Sequence, residues 1–114
     1  MIKVNPLTLG ACSHERESPG YQPTPSLRHL IEIRDHTCAF PGCRQPATRC
    51  DKDHTVPYHT GGRTCWCNLA PLCRFHHKVK QAHGWELAQP EPGVLNWTAP
   101  SGWTYRVTPY QRPR

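Results

Sequence analysis

Apolar residues recur at two different periods along the chain, and the changes of period mark its elements. Residues 1–24 show neither period. Asn5-Pro6, Ser18-Pro19-Gly20 and Pro23 interrupt every run, so this stretch reads as a linker or a poorly ordered arm. Thr24-Pro25 then supplies a cap followed by proline at the first helical position, and Leu27, Leu30, Ile31 and Arg34 fall on one face. The spacing predicts a helix from Pro25 to Asp35 that lays Leu27, Leu30 and Ile31 on the domain, with Arg28 and Arg34 as candidates to reach phosphate. A strand-like segment follows, ending in Asp53-His54. Past the Gly61-Gly62 loop, alternation puts Cys65 and Cys67 on one face and Thr64, Trp66 and Asn68 on the other.

The segment LCRFHHKVKQ, after Pro71, reads as a helix. Beyond Gly84 the pattern returns to alternation in three short runs, 85–88, 94–98 and 103–107, separated by Pro/Gly turns. They form a small meander whose Trp85, Trp97, Trp103 and Tyr105 build a minimal core. The expected class is therefore α+β: an N-terminal helix, a hairpin followed by a helix, and a C-terminal β-meander. The expected division is an arm at 1–24, a domain at 25–109 and a basic tail at 110–114, where Arg112-Pro113-Arg114 reads as a phosphate-seeking end.

Composition sharpens one point. Only 36% of the 114 residues are hydrophobic, with 13 prolines and 8 glycines, and the mean hydropathy is -0.73. So thin a core in a chain this small calls for a staple, either disulfides or a metal. The seven cysteines are odd in number and lie among eight histidines, and no secretory run opens the sequence. They read as intracellular thiols of a cytoplasmic protein, suited to metal rather than to a disulfide framework. No stretch approaches the ~18 apolar residues of a membrane helix, so no membrane is expected. Fourteen Lys and Arg against eight Asp and Glu give a net charge of +6, which favours a polyanionic partner.

Two pairs of soft ligands supply the staple. In Cys38-Ala39-Phe40-Pro41-Gly42-Cys43 the Pro-Gly turn returns the second thiol beside the first, as two thiolates sharing one ion at ~2.3 Å require. Cys73 and His76 stand three positions apart on the helix and share a face. Together they can make a tetrahedral Cys3His zinc site. Cys73 and His77, four apart, can share a face as well, so spacing leaves the choice of histidine open. Cys50, Cys65 and Cys67 have no partner of equally good spacing and are assigned to packing, with a second metal as the lesser alternative.

Asp53-His54, Gly61-Gly62, Asn68-Leu69, Leu72-Cys73 and His76-His77-x2-Lys80 resemble the HNH endonuclease family, the ββα-metal or His-Me finger nucleases. The specific likeness is to the zinc-containing HNH domain of actinobacterial REP-type repeat proteins, and it covers about two-thirds of the chain, from Arg34 to Pro109. The large N-terminal region those proteins usually carry is not part of this sequence.

The resemblance implies a small zinc-stapled ββα-metal domain and a division of labour within it. His54 would activate water and Asn68 would brace the hairpin loop that presents it. Asp53 and His77 would hold a catalytic divalent cation such as Mg2+, Mn2+ or Ni2+. His76 would go to the zinc, because relatives with four zinc cysteines carry a cysteine at that position. Arg74, Lys78 and Lys80 would contact phosphates beside the cut. His59 and His83 have weaker claims, and Gln81 stands where some relatives add a third histidine. The expected function is metal-dependent hydrolysis of DNA, expected to be double-stranded, without a small-molecule cofactor. The competing readings are a zinc-stapled nucleic-acid-binding module without turnover and a non-functional fragment of a longer repeat protein.

Overall fold

The computed structural model describes residues 12–82 and 84–109. His83, the basic tail and the first eleven residues lie outside it. Helix α1 (Pro25–Asp35) starts where the cap was expected: the Thr24 hydroxyl accepts from the Leu27 N–H at 3.2 Å. Leu27 and Ile31 are buried and pack with Leu69, while Leu30 is only half-buried.

Strand β1 (Asp51–His54) pairs antiparallel with β2 (Leu69–Leu72), in a register that places Asp53 opposite Ala70 and His54 opposite Leu69. Helix α2 (Arg74–Lys80) leaves β2 after a single residue, Cys73. The order strand, long loop, strand, helix is the ββα arrangement expected. It is followed by a separate antiparallel sheet, β3 (Glu86–Glu91), β4 (Val94–Thr98) and β5 (Thr104–Val107), in sequential order.

These parts meet at the knuckle. Cys43 N–H donates to the Phe40 carbonyl at 3.1 Å, and Gly42 takes the φ of +78° that the tight return requires. Ala39 is joined on both sides: its N–H donates to the Pro71 carbonyl at 2.7 Å and its carbonyl accepts from Trp97 Nε1 at 3.1 Å. The knuckle thus docks β2 and the meander together over a core of Leu72, Leu95, Trp97 and Val107, with Cys50 buried among them.

Three expectations change. Of the four aromatics expected in the meander's core, Trp97 is buried and Trp85 half-buried, but Trp103 and Tyr105 are exposed. Residues 64–68 form a turn rather than the start of a strand, so the side chains of 65 and 67 do not follow strand alternation. Arg34 does not face phosphate. Its guanidinium forks onto Asp35 at 2.9 and 2.7 Å, reaches the Trp66 and Leu69 carbonyls at 2.7 and 2.8 Å, and lies 4.6 Å over the Trp66 ring.

Candidate metal centres and active-site cleft

Among the described residues, two groups of three or more Cys, His or carboxylate side chains bring their ligand atoms within 4.8 Å of one another. The first is Cys38, Cys43, Cys73 and His76. His76 Nδ1 lies 3.4 Å from Cys73 Sγ and 3.7 Å from Cys38 Sγ. In a tetrahedral site with Zn–S of ~2.3 Å and Zn–N of ~2.0 Å, neighbouring ligand atoms stand roughly 3.6 Å apart. The donor set, three thiols and an imidazole, therefore fits zinc in kind and in these two spacings.

Two further features prepare this cluster. The Cys73 N–H points at Cys38 Sγ from 3.4 Å, and the Phe40 ring stacks on His76 at 4.0 Å, nearly parallel. A hydrogen bond with Cys50, together with burial, pushes the Cys38 thiol up. Burial chiefly pushes Cys43 up to about 11 and holds His76 below the usual histidine range. A dication inverts this preference for neutral thiols by binding the thiolates.

The second group is Cys12, His14, Cys65 and Cys67. The lesser alternative for Cys65 and Cys67, a second metal, is the one this cluster supports. Their partners lie about fifty positions away in the arm, beyond the reach of any local spacing rule. Burial first, and the neighbouring Cys65 next, push Cys67 up to about 12.

His77 turns away from the first cluster, as successive helical residues must. Its Nδ1 is 2.9 Å from Asp51 Oδ2 and its Nε2 is 3.1 Å from Asp53 Oδ1. Asp51 is the residue that sequence reasoning missed. It stands two positions before Asp53 on β1, so strand parity puts both carboxylates on one face. Lys80 lies inward, with its ammonium paired to the Asp53 carboxylate and donating to the His54 carbonyl at 2.7 Å. Arg74 is exposed beside Asp51, and Lys78 is exposed on the same helix.

His54 is buried on the other face of β1, and burial holds its pKa below the usual value. Its Nε2 is 2.8 Å from Thr64 Oγ1, and Thr64 Oγ1 donates to the Tyr21 carbonyl at 3.2 Å. A hydroxyl has one proton to give. With that proton on Tyr21, Thr64 accepts from Nε2–H of His54, which makes Nδ1 the nitrogen that carries the lone pair. The Tyr21 ring also stacks on His54, with centroids 5.1 Å apart.

Asn68 braces the intervening loop. Its Oδ1 accepts from the Val56 N–H at 2.9 Å, and its Nδ2 donates to the carbonyls of Val56 and Arg63 at 3.1 and 2.8 Å. Gly62 fits between them only because it has no side chain: a Cβ there would overlap the Val56 carbonyl. His59 is exposed in the short turn Tyr58–Thr60, away from these contacts. Tyr21, Asp51, Asp53, His54, Arg74 and His77 all line one cleft of about 230 Å³.

Several mycobacterial proteins are similar to this chain. The uncharacterized protein Rv3776 of Mycobacterium tuberculosis is 47% identical over 98 residues, covering 85% of this chain and 19% of the relative. The uncharacterized protein Rv2100 of the same organism is 43% identical over 95 residues, covering 82% of this chain and 17% of the relative. The chain thus spans less than a fifth of the length of these curated relatives. No family model matches the chain, and no solved structure matches it. No described helix is long and apolar enough to cross a membrane.

Proposed function

We propose that this domain is a metal-dependent endonuclease of the HNH type that hydrolyses DNA phosphodiester bonds. One observation carries the reading: a buried, neutral histidine with its tautomer set by Thr64 shares a cleft with a histidine held between two carboxylates. That combination supplies a base and a cation site, the two requirements for attack of water on a phosphodiester.

The contacts of His77 are compatible with a cation. A neutral imidazole has one N–H. When Asp51 accepts it from Nδ1, the Nε2 lone pair faces the Asp53 carboxylate, an arrangement that needs a proton or a metal ion between two acceptors. Asp53 and His77 would hold the ion, and Asp51 would orient His77, as carboxylates behind metal-binding histidines do. When bound, the ion supplies Lewis-acid stabilisation of the phosphate charge and of the departing oxygen.

The remaining chemistry belongs to the chain. His54 takes the proton of the attacking water at Nδ1. Its Nε2–H stays on Thr64 and holds the ring in place. Lys80 fixes the Asp53 carboxylate and the His54 backbone against each other, which keeps base and cation site in register. Arg74 and Lys78, both exposed on α2, would meet phosphates flanking the cut. Cys38, Cys43, Cys73 and His76 would hold a structural zinc that sets the pose of α2.

Supercoiled plasmid incubated with the protein in Mg2+, Mn2+ or Ni2+ tests the proposal. Nicked or linear product is expected with the wild-type chain, and a loss of about 10²- to 10⁴-fold with His54→Ala. Plasmid that is shifted on a gel but left intact in every metal would establish a binding module instead.

A further inference from the structure

We infer that Cys12, His14, Cys65 and Cys67 bind a second zinc ion, which clamps the N-terminal arm onto the hairpin loop. Three of the ligand spacings are defined. Cys12 Sγ lies 3.8 Å from Cys65 Sγ, and His14 Nδ1 lies 3.4 Å from Cys65 Sγ and 3.6 Å from Cys67 Sγ. Around one tetrahedral zinc, two sulfurs stand roughly 3.8 Å apart and a sulfur and a nitrogen roughly 3.6 Å apart. The match is as close as in the first cluster. The set is also similar in kind, three thiols and one imidazole nitrogen.

The backbone is shaped to the same end. His14 takes a φ of +61°, a left-handed conformation uncommon for a residue with a side chain, and its N–H points at Cys12 Sγ from 3.4 Å. The two halves of the cluster come from remote parts of the chain, each as a pair separated by one residue. Such pairs give little packing of their own. Cys12, His14 and Cys67 are only partly buried, so core formation does not account for the convergence.

The clamp has a consequence at the cleft. Between the ligands and the cleft, the arm is joined to the loop by Ser18 N–H donating to the Thr64 carbonyl at 2.8 Å and by the Glu17–Arg63 pair at 2.7 Å. Thr64 is the neighbour of ligand Cys65, and it bridges the Tyr21 carbonyl and His54. Fixing Cys12 and His14 to Cys65 and Cys67 therefore fixes Thr64 and the arm that carries its acceptor, the Tyr21 carbonyl. The zinc acts on His54 at a distance, through a positioning residue. This last step rests on the proposed function; the metal site does not.

Zinc per chain, measured by elemental analysis on protein purified without chelator, decides the site. Two are expected for the wild-type chain and one for Cys12→Ser/His14→Ala, whose substitutions lie outside the ββα unit. Chymotrypsin cleavage after the exposed Tyr21 should accelerate about tenfold in that variant, as the arm opens without global unfolding. Equal zinc content in the wild-type chain and the variant, or a wild-type mass lower by two hydrogens from a Cys12–Cys65 disulfide, would each overturn the inference. These readouts stand whether or not the protein cuts DNA. If the wild-type chain does cut, a fall in its rate in the variant at unchanged first-site zinc supports the link to His54, and an unchanged rate removes that link.

Discussion

Thr64 has one hydroxyl proton, which it donates to the Tyr21 carbonyl, and the tautomer of His54 follows from that choice. Thr64→Val keeps the volume and removes the acceptor for Nε2–H. The expected result is a fall in kcat of about ten- to a hundredfold with KM unchanged, because orientation is lost and binding is not. A rise in KM with kcat unchanged would place Thr64 in the DNA interface instead. Burial lowers the pKa of His54, so its neutral form persists below the unperturbed value of ~6.5. The acid limb of the rate profile is accordingly expected below pH ~6.5. The stability consequence has the same sign: protonation favours the unfolded chain, so this contribution is complete above ~6.5 and is lost as pH falls through the lower, folded value. Chemical denaturation at a series of pH values reads it. Gly62→Ala, in turn, drives a Cβ into the Val56 carbonyl and against Asn68 Nδ2. A loss of about 1–3 kcal/mol is expected from the denaturation midpoint.

Helix α1 is joined to the ββα unit by the packing of Leu27 and Ile31 on Leu69, by the Lys52–Glu32 ion pair and by one side chain with many donors. Arg34 reaches Asp35, Trp66 and Leu69 at once, and a lysine ammonium cannot reproduce that planar fork. Arg34→Lys should cost on the order of 1.5–3 kcal/mol in thermal or chemical unfolding. That role was hidden in the sequence, where Arg34 sits on the apolar face of α1 and reads as a charge able to swing outward. Other parts of the elements were legible. Thr24-Pro25 announces α1, the Pro-Gly knuckle announces its own turn, and the meander shows in the alternation of Leu95 and Trp97. Asp51 was within reach of strand parity, since it stands two positions before Asp53 in a segment that reads as a strand. Cys65 and Cys67 were not, because residues 64–68 alternate like a strand yet fold as a turn, and their ligand partners come from an arm without periodicity.

At the scale of the whole molecule, the described residues bury two small clusters. Leu72, Leu95 and Trp97 are fully buried, but α2 contributes no buried residue at all. A structural zinc of this type is worth on the order of 10 kcal/mol of folding free energy. Strong chelation is therefore expected to unfold the domain, with loss of far-ultraviolet dichroism and a red shift of tryptophan emission as Trp97 meets water; zinc added back should restore both. An unchanged spectrum after complete zinc removal would show that the core suffices.

The seven residues of α2 also bear on how the domain could be tuned. A helix without a packed stripe has no intrinsic angular setting about its own axis. Here Cys73 and His76 anchor it on one side, and His77 and Lys80 on the other. With an ion in the Cys38 cluster, its rotational phase would be fixed by ligand bonds and charge pairs rather than by shape. An ion of different radius in the Cys38 cluster would turn the helix like a peg and swing His77 relative to Asp53, changing the bite of one metal site through the size of the other.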